Sequence, residues 1–142
     1  MMRQVLSHAQ THKGLVRKLN EDACLDLADS GVWLVADGMG GHAAGDIASQ
    51  LVVDTVRVAV QRGQQVSLQL ITDALQQANQ ELCHYSELHL QGHTAGSTVV
   101  ALIVLLVLAP VGALLVGAGL SVEGDGAETG VWLARRAILS AK

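Results

Sequence analysis

Aromatic residues and proline are scarce in this chain of 142 residues, which has no phenylalanine, one tyrosine, two tryptophans and one proline. Half of its residues are nevertheless hydrophobic. A core must therefore be built from Val, Leu, Ile and Ala, which bury less area per residue than aromatic rings do. The length is sufficient for one domain with its own core and too short for two.

Cysteine and positive charge are also limited. The two cysteines, Cys24 and Cys83, show no C-x-x-C spacing, which argues against a zinc site or a disulfide framework and favours a reducing, cytoplasmic location. The formal net charge is -4 and no basic stripe is present, so we expect no nucleic-acid partner. Residues 1–10 contain one arginine and several polar residues, which is not the pattern of a signal peptide.

A long uncharged stretch spans residues 94–122. Its length meets the criterion of roughly 20 residues for a transmembrane helix. Turn-forming residues at 109–112 divide it into two strand-sized pieces rich in β-branched residues. We therefore favour a buried β-hairpin and keep a membrane span as the alternative.

The stretch 32–42 carries the strongest chemical signal. An apolar, β-branched run at 32–36 predicts a buried strand, and Asp37 and three glycines follow it directly. A carboxylate leaving a hydrophobic layer is costly to desolvate unless a cation pairs with it. Glycine backbone leaves carbonyl oxygens bare for a hard metal ion. An ordinary Asp-Gly turn is the alternative for this segment taken alone.

Charged residues upstream give the aspartate a context. Residues 14–22 read G-L-V-R-K-L-N-E-D and precede the D-G-M-G-G segment that begins at Asp37. The joint pattern resembles the metal-dependent protein serine/threonine phosphatases of the PPM, or type 2C, family, in particular its bacterial-type members. The resemblance continues through G-D-I-A-S at 45–49 and G-S-T-V-V-A-L at 96–102, so that it covers about 1–103.

Hydrophobic periodicity predicts the order of the elements. A first strand is expected at 4–11, a hairpin of strands at 25–29 and 32–36, and amphipathic helices at 43–62 and from the N-cap Ser67 to Tyr85. Helices stacked on an antiparallel sheet make an α+β domain. The resemblance implies two antiparallel sheets packed face to face with flanking helices, of which this chain would form a truncated α-β-β-α layered sandwich.

The resemblance also implies a role for each charged residue of the motifs. Asp37 would bridge two Mn²⁺ or Mg²⁺ ions, Glu21 and the carbonyl of Gly38 would ligate one of them, and Asp22 would orient a metal-bound water. Arg17 would bind the substrate phosphate, because a guanidinium can grip two phosphoryl oxygens at once. The residues alone leave simpler alternatives: a solvated loop for Glu21 and Asp22, and an ion pair between Arg17 and a nearby acid.

Part of the family pattern is missing. The family's Gly-Asp-Ser-Arg segment has its nearest counterpart in G-L-S-V at 119–122, which lacks both the acid and the arginine. Two further metal-binding aspartates of the family have no counterpart in this sequence. Asp125 is interpreted as a turn residue and His42 as a residue at a helix start. We therefore expect 1–103 to be the N-terminal part of a PPM-type domain, 104–142 to be a divergent apolar hairpin and tail, and the two-metal site to be incomplete.

The predicted function is hydrolysis of phosphoserine and phosphothreonine by a metal-activated water, impaired in this chain. Phosphorylated proteins would be the substrates and a serine/threonine kinase is a further candidate partner. Two alternatives remain from other classes. One is a noncatalytic module that binds a phosphoprotein or a kinase through Arg17, and the other is a small membrane-anchored protein that uses 94–122.

Overall fold

The computed structural model describes residues 5–40, 44–91, 93–105, 112–123 and 126–130. This part of the chain forms one five-stranded antiparallel sheet and two helices. The strands are β1 (Asp22–Leu27), β2 (Val32–Gly40), β3 (Ala95–Leu105), β4 (Gly112–Glu123) and β5 (Gly126–Gly130), in that spatial order, and the helices are α1 (Ala44–Gln61) and α2 (Leu68–His89).

The predicted hairpin is confirmed as β1 and β2. A short 3-10 turn, Ala28–Ser30, joins the strands, and Gly31 follows it with a φ of 67°. Glycine suits this left-handed position, and a side chain there would also meet the Val104 carbonyl oxygen at 2.9 Å. The register of the hairpin sets Asp22 opposite Asp37 and Leu27 opposite Val32.

Both predicted helices are present and cover one face of the sheet. The side-chain oxygen of Ser67 accepts a hydrogen bond of 3.1 Å from the backbone N–H of Leu70, which confirms Ser67 as the N-cap of α2. The main core lies between the helices and the sheet. Its largest members with almost no exposure are aliphatic: Leu34, Ile71, Leu75, Ile103, Val32, Val52, Val53, Val56 and Val99.

The opposite face of the sheet is open in the described part of the chain. Val35 and Val100 are Cα partners on this face and are 57% and 52% exposed. Met39 and Leu102 are exposed on the same face. The described residues thus supply one sheet with helices on one side, which is the α+β arrangement expected of a truncated layered sandwich.

The predicted first strand is wrong over 5–11, and residue 4 lies outside the described residues. Residues 5–13 have no regular secondary structure. Side chains rather than a backbone ladder hold this segment, because Ser7 Oγ donates to Asp26 Oδ1 at 2.7 Å and accepts from Trp33 Nε1 at 2.8 Å. Its residues are all exposed. Among the described parts of the chain, no second layer packs against its apolar residues.

The uncharged stretch forms strands, as predicted. β3 pairs with β4 antiparallel from Ala95 opposite Val122 to Leu105 opposite Gly112. Residues 109–111 of the proposed turn lie outside the described residues, and its last residue, Gly112, begins β4. β3 is buried on one face only, since Val99 is buried while Val100 is exposed. Of the helices in the described part of the chain, none has the length and hydrophobicity needed to cross a membrane.

Candidate active site

Two carboxylates face each other across the hairpin. Asp22 and Asp37 are Cα partners in the β1/β2 register, and both are exposed on the open face. Directly opposed residues of antiparallel strands have Cβ atoms about 5 Å apart, and like charges at this spacing are destabilising. A bound cation would remove that repulsion, so the register itself creates a position that favours positive charge.

The segment before β1 adds a third carboxylate. The carbonyl oxygen of Glu21 accepts a hydrogen bond of 2.9 Å from the N–H of Gly38, which fixes Glu21 next to the Asp37 peptide. Its side chain turns toward the first turn of α1, where it approaches Gly45. Glu21 and Asp22 therefore point in different directions, as neighbours in an extended chain do.

Arg17 forms the ion pair that the sequence left open as an alternative. Its Nη1 lies 2.9 Å from Glu21 Oε2, and the two side chains are 63% and 24% exposed. A pair this exposed contributes at most about 1 kcal/mol to stability. The guanidinium is therefore held near the acids by a weak contact and remains open to solvent.

Asn20 organises the loop that carries these groups, a role that the sequence analysis did not assign. Its Oδ1 accepts a hydrogen bond of 3.2 Å from the N–H of Asp22 and its Nδ2 donates to Thr11 Oγ1 at 3.0 Å. Asparagine commonly bonds to the backbone two residues on. The N-E-D order was thus a usable signal for this turn.

Four of the predicted site residues line one cleft of about 210 Å³: Arg17, Glu21, Asp22 and Asp37. The wall of the cleft also includes His12, Lys13 and Asn20. The fifth predicted residue, Gly38, follows Asp37 directly and bonds through its N–H to the carbonyl oxygen of Glu21. The structure therefore brings the predicted residues together at one end of the β1/β2 hairpin.

The glycines after Asp37 have a different structural role from the predicted loop. β2 continues to Gly40, so that Asp37 lies within the strand and not at its end. A Cβ at Gly38 would overlap the carbonyl oxygen of Gly45 in α1 and come within 2.7 Å of the Glu21 carbonyl oxygen. Gly38 is thus required for the close approach of helix and strand, an aspect that the sequence did not reveal.

The donors fit a divalent cation in kind but do not complete its shell. Carboxylate and carbonyl oxygens are the ligands that Mg²⁺ and Mn²⁺ prefer. Within the described ranges, however, no three His, Cys, Asp or Glu side chains converge as one ion would require. His42 and Asp125, considered from the sequence, lie outside the described residues.

The backbone of Asp37 is fixed from the side of β3. Ser97 Oγ donates to the Asp37 carbonyl oxygen at 3.2 Å, and Thr98 Oγ1 lies 3.5 Å from the same atom. Ser97 and Thr98 belong to the G-S-T-V-V segment that carried part of the resemblance. These hydroxyls link that segment directly to the cleft.

Comparisons with known proteins identify the family of this chain. The family model for protein phosphatase 2C matches residues 10–135, which extends past the boundary of the resemblance noted at 103. The serine/threonine phosphatase stp of Listeria monocytogenes is 34% identical over 107 residues, which is 68% of this chain and 42% of stp.

Two solved structures share the fold. PppA, described as a key regulatory component of T6SS in Pseudomonas aeruginosa, is 39% identical with a TM-score of 0.57, and the match covers 83% of this chain and 51% of PppA. The catalytic domain of the serine/threonine phosphatase PstP, solved with two manganese ions, is 28% identical with a TM-score of 0.62, and the match covers 84% and 52%.

The chain thus spans about half the length of the solved relatives that it matches. The match nevertheless includes most of this chain, and the cleft residues lie within the part that the family model covers. This chain belongs to the protein phosphatase 2C family.

Proposed function

We propose that the chain supplies part of the active site of a metal-dependent phosphatase that hydrolyses phosphoserine and phosphothreonine in proteins. The observation that carries the proposal is the cleft in which Asp22 and Asp37 oppose each other across two strands. Glu21 and Arg17 line the same cleft. The two opposed carboxylates would attract a cation, and the exposed guanidinium of Arg17 in the same cleft would bind the phosphate.

Each residue has a role in this proposal. The divalent cations, when bound, supply a nucleophile from water near neutral pH and neutralise charge on the phosphoryl oxygens. Asp37 would bridge the cation pair, while Glu21 and the Gly38 carbonyl would ligate one member. Asp22, on the open face beside Asp37, would orient the attacking water by accepting its hydrogen bond. The related PstP domain, with its two manganese ions, supports Mn²⁺ or Mg²⁺ as the cofactor.

Arg17 would hold the substrate. Its guanidinium is largely exposed and its pairing with Glu21 is weak, so a phosphate dianion can compete for it. Two parallel hydrogen bonds to phosphoryl oxygens would place the phosphorus over the cleft. A lysine cannot form that fork.

The partners and the location belong to the same proposal. Phosphorylated proteins would be the substrates, because the stp and PstP relatives carry the name serine/threonine phosphatase. A serine/threonine kinase would be a functional counterpart in bacterial signalling. The two cysteines are free and only partly buried, which supports a reducing, cytoplasmic compartment.

Phosphate release from a phosphothreonine peptide tests this proposal. We expect slow release that requires Mn²⁺, because the donor set is partial, and loss of that release in Asp37→Asn. Asp29→Asn is the matched control, since this exposed aspartate lies at the far end of the hairpin and undergoes the same charge change. Calorimetric binding of Mn²⁺ to the three proteins provides a second readout.

Two results would contradict the proposal. Release that survives Asp37→Asn would exclude the metal mechanism. Tight binding of the phosphopeptide through Arg17 with no Mn²⁺ binding at all would instead favour a noncatalytic phosphoprotein-binding module.

A further inference from the structure

The first turn of α1 leaves a space that the Glu21 side chain fills. A Cβ built on Gly45 would lie 2.7 Å from Glu21 Oε1, 3.1 Å from its Cδ and 3.2 Å from its Cγ. These distances are shorter than the separation of about 3.5 Å at which nonbonded carbon atoms attract each other. Any side chain at position 45 would therefore displace the carboxylate of Glu21.

Backbone conformation does not explain the glycine. The glycines with positive φ among the described residues are Gly14, Gly31, Gly40 and Gly63, so Gly45 adopts a conformation that alanine also adopts. Alanine favours a helix over glycine by up to about 1 kcal/mol. Alanine would thus stabilise the helix at position 45 more than glycine does, so helix propensity does not account for the glycine.

The closest neighbours of a side chain at position 45 belong to one residue. The three heavy atoms nearest to the position of a Cβ on Gly45 all belong to the side chain of Glu21. No core residue is among them. The group that a side chain at position 45 would meet first is therefore a carboxylate of the cleft.

The position also suits a negative charge. Gly45 is the second residue of α1, where unpaired backbone N–H groups and the helix dipole favour a carboxylate. The contact of Gly38 with the Gly45 carbonyl oxygen, and the bond from Gly38 N–H to the Glu21 carbonyl oxygen, hold the same three segments together. The backbone of Glu21 is thus fixed by β2, while its side chain lies against the first turn of α1 and pairs with Arg17.

We propose that Gly45 is a positioning residue, which holds the carboxylate of Glu21 at the cation site by allowing it to lie against the first turn of α1. This inference rests on the proposed function for the identity of the cation. Gly45 itself touches neither the cation nor the substrate. A methyl group at this position displaces the Glu21 carboxylate from the first turn of α1 while the fold is kept.

Manganese affinity and thermal stability of Gly45→Ala provide the test. We expect the Kd for Mn²⁺ to rise about tenfold, the range typical for loss of a group that orients a ligand. Gly63→Ala is the control for stability, because its φ of 79° disfavours alanine and nothing lies within 4 Å of the added carbon. That variant should lower the melting temperature and leave the Mn²⁺ affinity unchanged.

A double-mutant cycle with Glu21→Ala tests whether Gly45 acts through Glu21. Once the Glu21 side chain is removed, Gly45→Ala meets no clash, so it should raise the melting temperature through helix propensity. In the presence of Glu21 the same change should give no such gain. This thermal measurement needs no metal. If Gly45 served general packing, the effect of Gly45→Ala on the melting temperature would be the same with and without the Glu21 side chain.

The outcomes separate the two proposals. If the wild-type chain binds Mn²⁺ and the Gly45→Ala variant binds it with the same affinity, the positioning role alone is overturned. Equal thermal effects of Gly45→Ala with and without the Glu21 side chain would also overturn it. Absence of Mn²⁺ binding by the wild-type chain would instead contradict the proposed function.

Discussion

At the scale of single residues, the candidate site consists of four charged side chains at one end of the β1/β2 hairpin. Arg17, Glu21, Asp22 and Asp37 were identified from two motifs, and they line one cleft. Their arrangement depends on the strand register, which sets Asp22 opposite Asp37. Asn20 acts in a local turn that the N-E-D order indicates, whereas the contact of Gly45 with Glu21 crosses the fold, and spacing in a single sequence does not encode it.

Replacement of Arg17 by alanine should separate ligand binding from stability. We expect Arg17→Ala to change the free energy of unfolding by less than about 1 kcal/mol, because its ion pair is exposed. The same change should abolish binding of inorganic phosphate in the presence of Mn²⁺, and Arg17→Lys should restore it only in part. Denaturant unfolding and calorimetric titration measure the two effects. Undiminished phosphate binding by Arg17→Ala would assign the phosphate to another residue.

At the scale of elements, patterns with strong periodicity were predicted well. The helix from Leu68 to His89 combines an aliphatic stripe with a serine cap, and both signals are local. The expected strand at 4–11 failed because a strand is defined by a partner, and residues 5–13 have none among the described strands. The extension of β2 to Gly40 was missed because its glycines serve helix packing rather than a turn.

The cap of α2 offers a test at this scale. Ser67→Ala removes the acceptor for the Leu70 N–H, so we expect the free energy of unfolding to fall by about 1 kcal/mol. Ser67→Asp keeps an acceptor at the cap and should restore most of that loss. Chemical denaturation of the three proteins gives the comparison. Equal stabilities would mean that the cap bond contributes nothing in solution.

At the scale of the whole molecule, one apolar face of the sheet is exposed as far as the described residues extend. Trp33, Val35, Met39, Val100 and Leu102 lie on the side opposite to the helices. Contiguous apolar surface of this kind promotes association. The resemblance implies two sheets packed face to face, and the chain spans about half of its solved relatives. The sequence indicated the apolar strands, but only the fold shows which of their faces the helices cover.

Exposure of this face predicts how two kinds of valine substitution differ. The double variant Val35→Thr and Val100→Thr should reduce self-association measured by light scattering and leave the free energy of unfolding nearly unchanged. Val99→Thr, on the buried face of β3, should instead destabilise the chain by about 1–3 kcal/mol, because its hydroxyl is buried. Similar destabilisation by both changes would mean that the face is covered in the native protein.

The most direct measurement is anomalous X-ray scattering from crystals of this chain grown with Mn²⁺. The central claim is that the end of the β1/β2 hairpin binds a divalent cation. We predict a manganese peak between the carboxylates of Asp37 and Glu21, and no such peak in Asp37→Asn. A manganese peak elsewhere on the chain, with none in the cleft, would contradict the account.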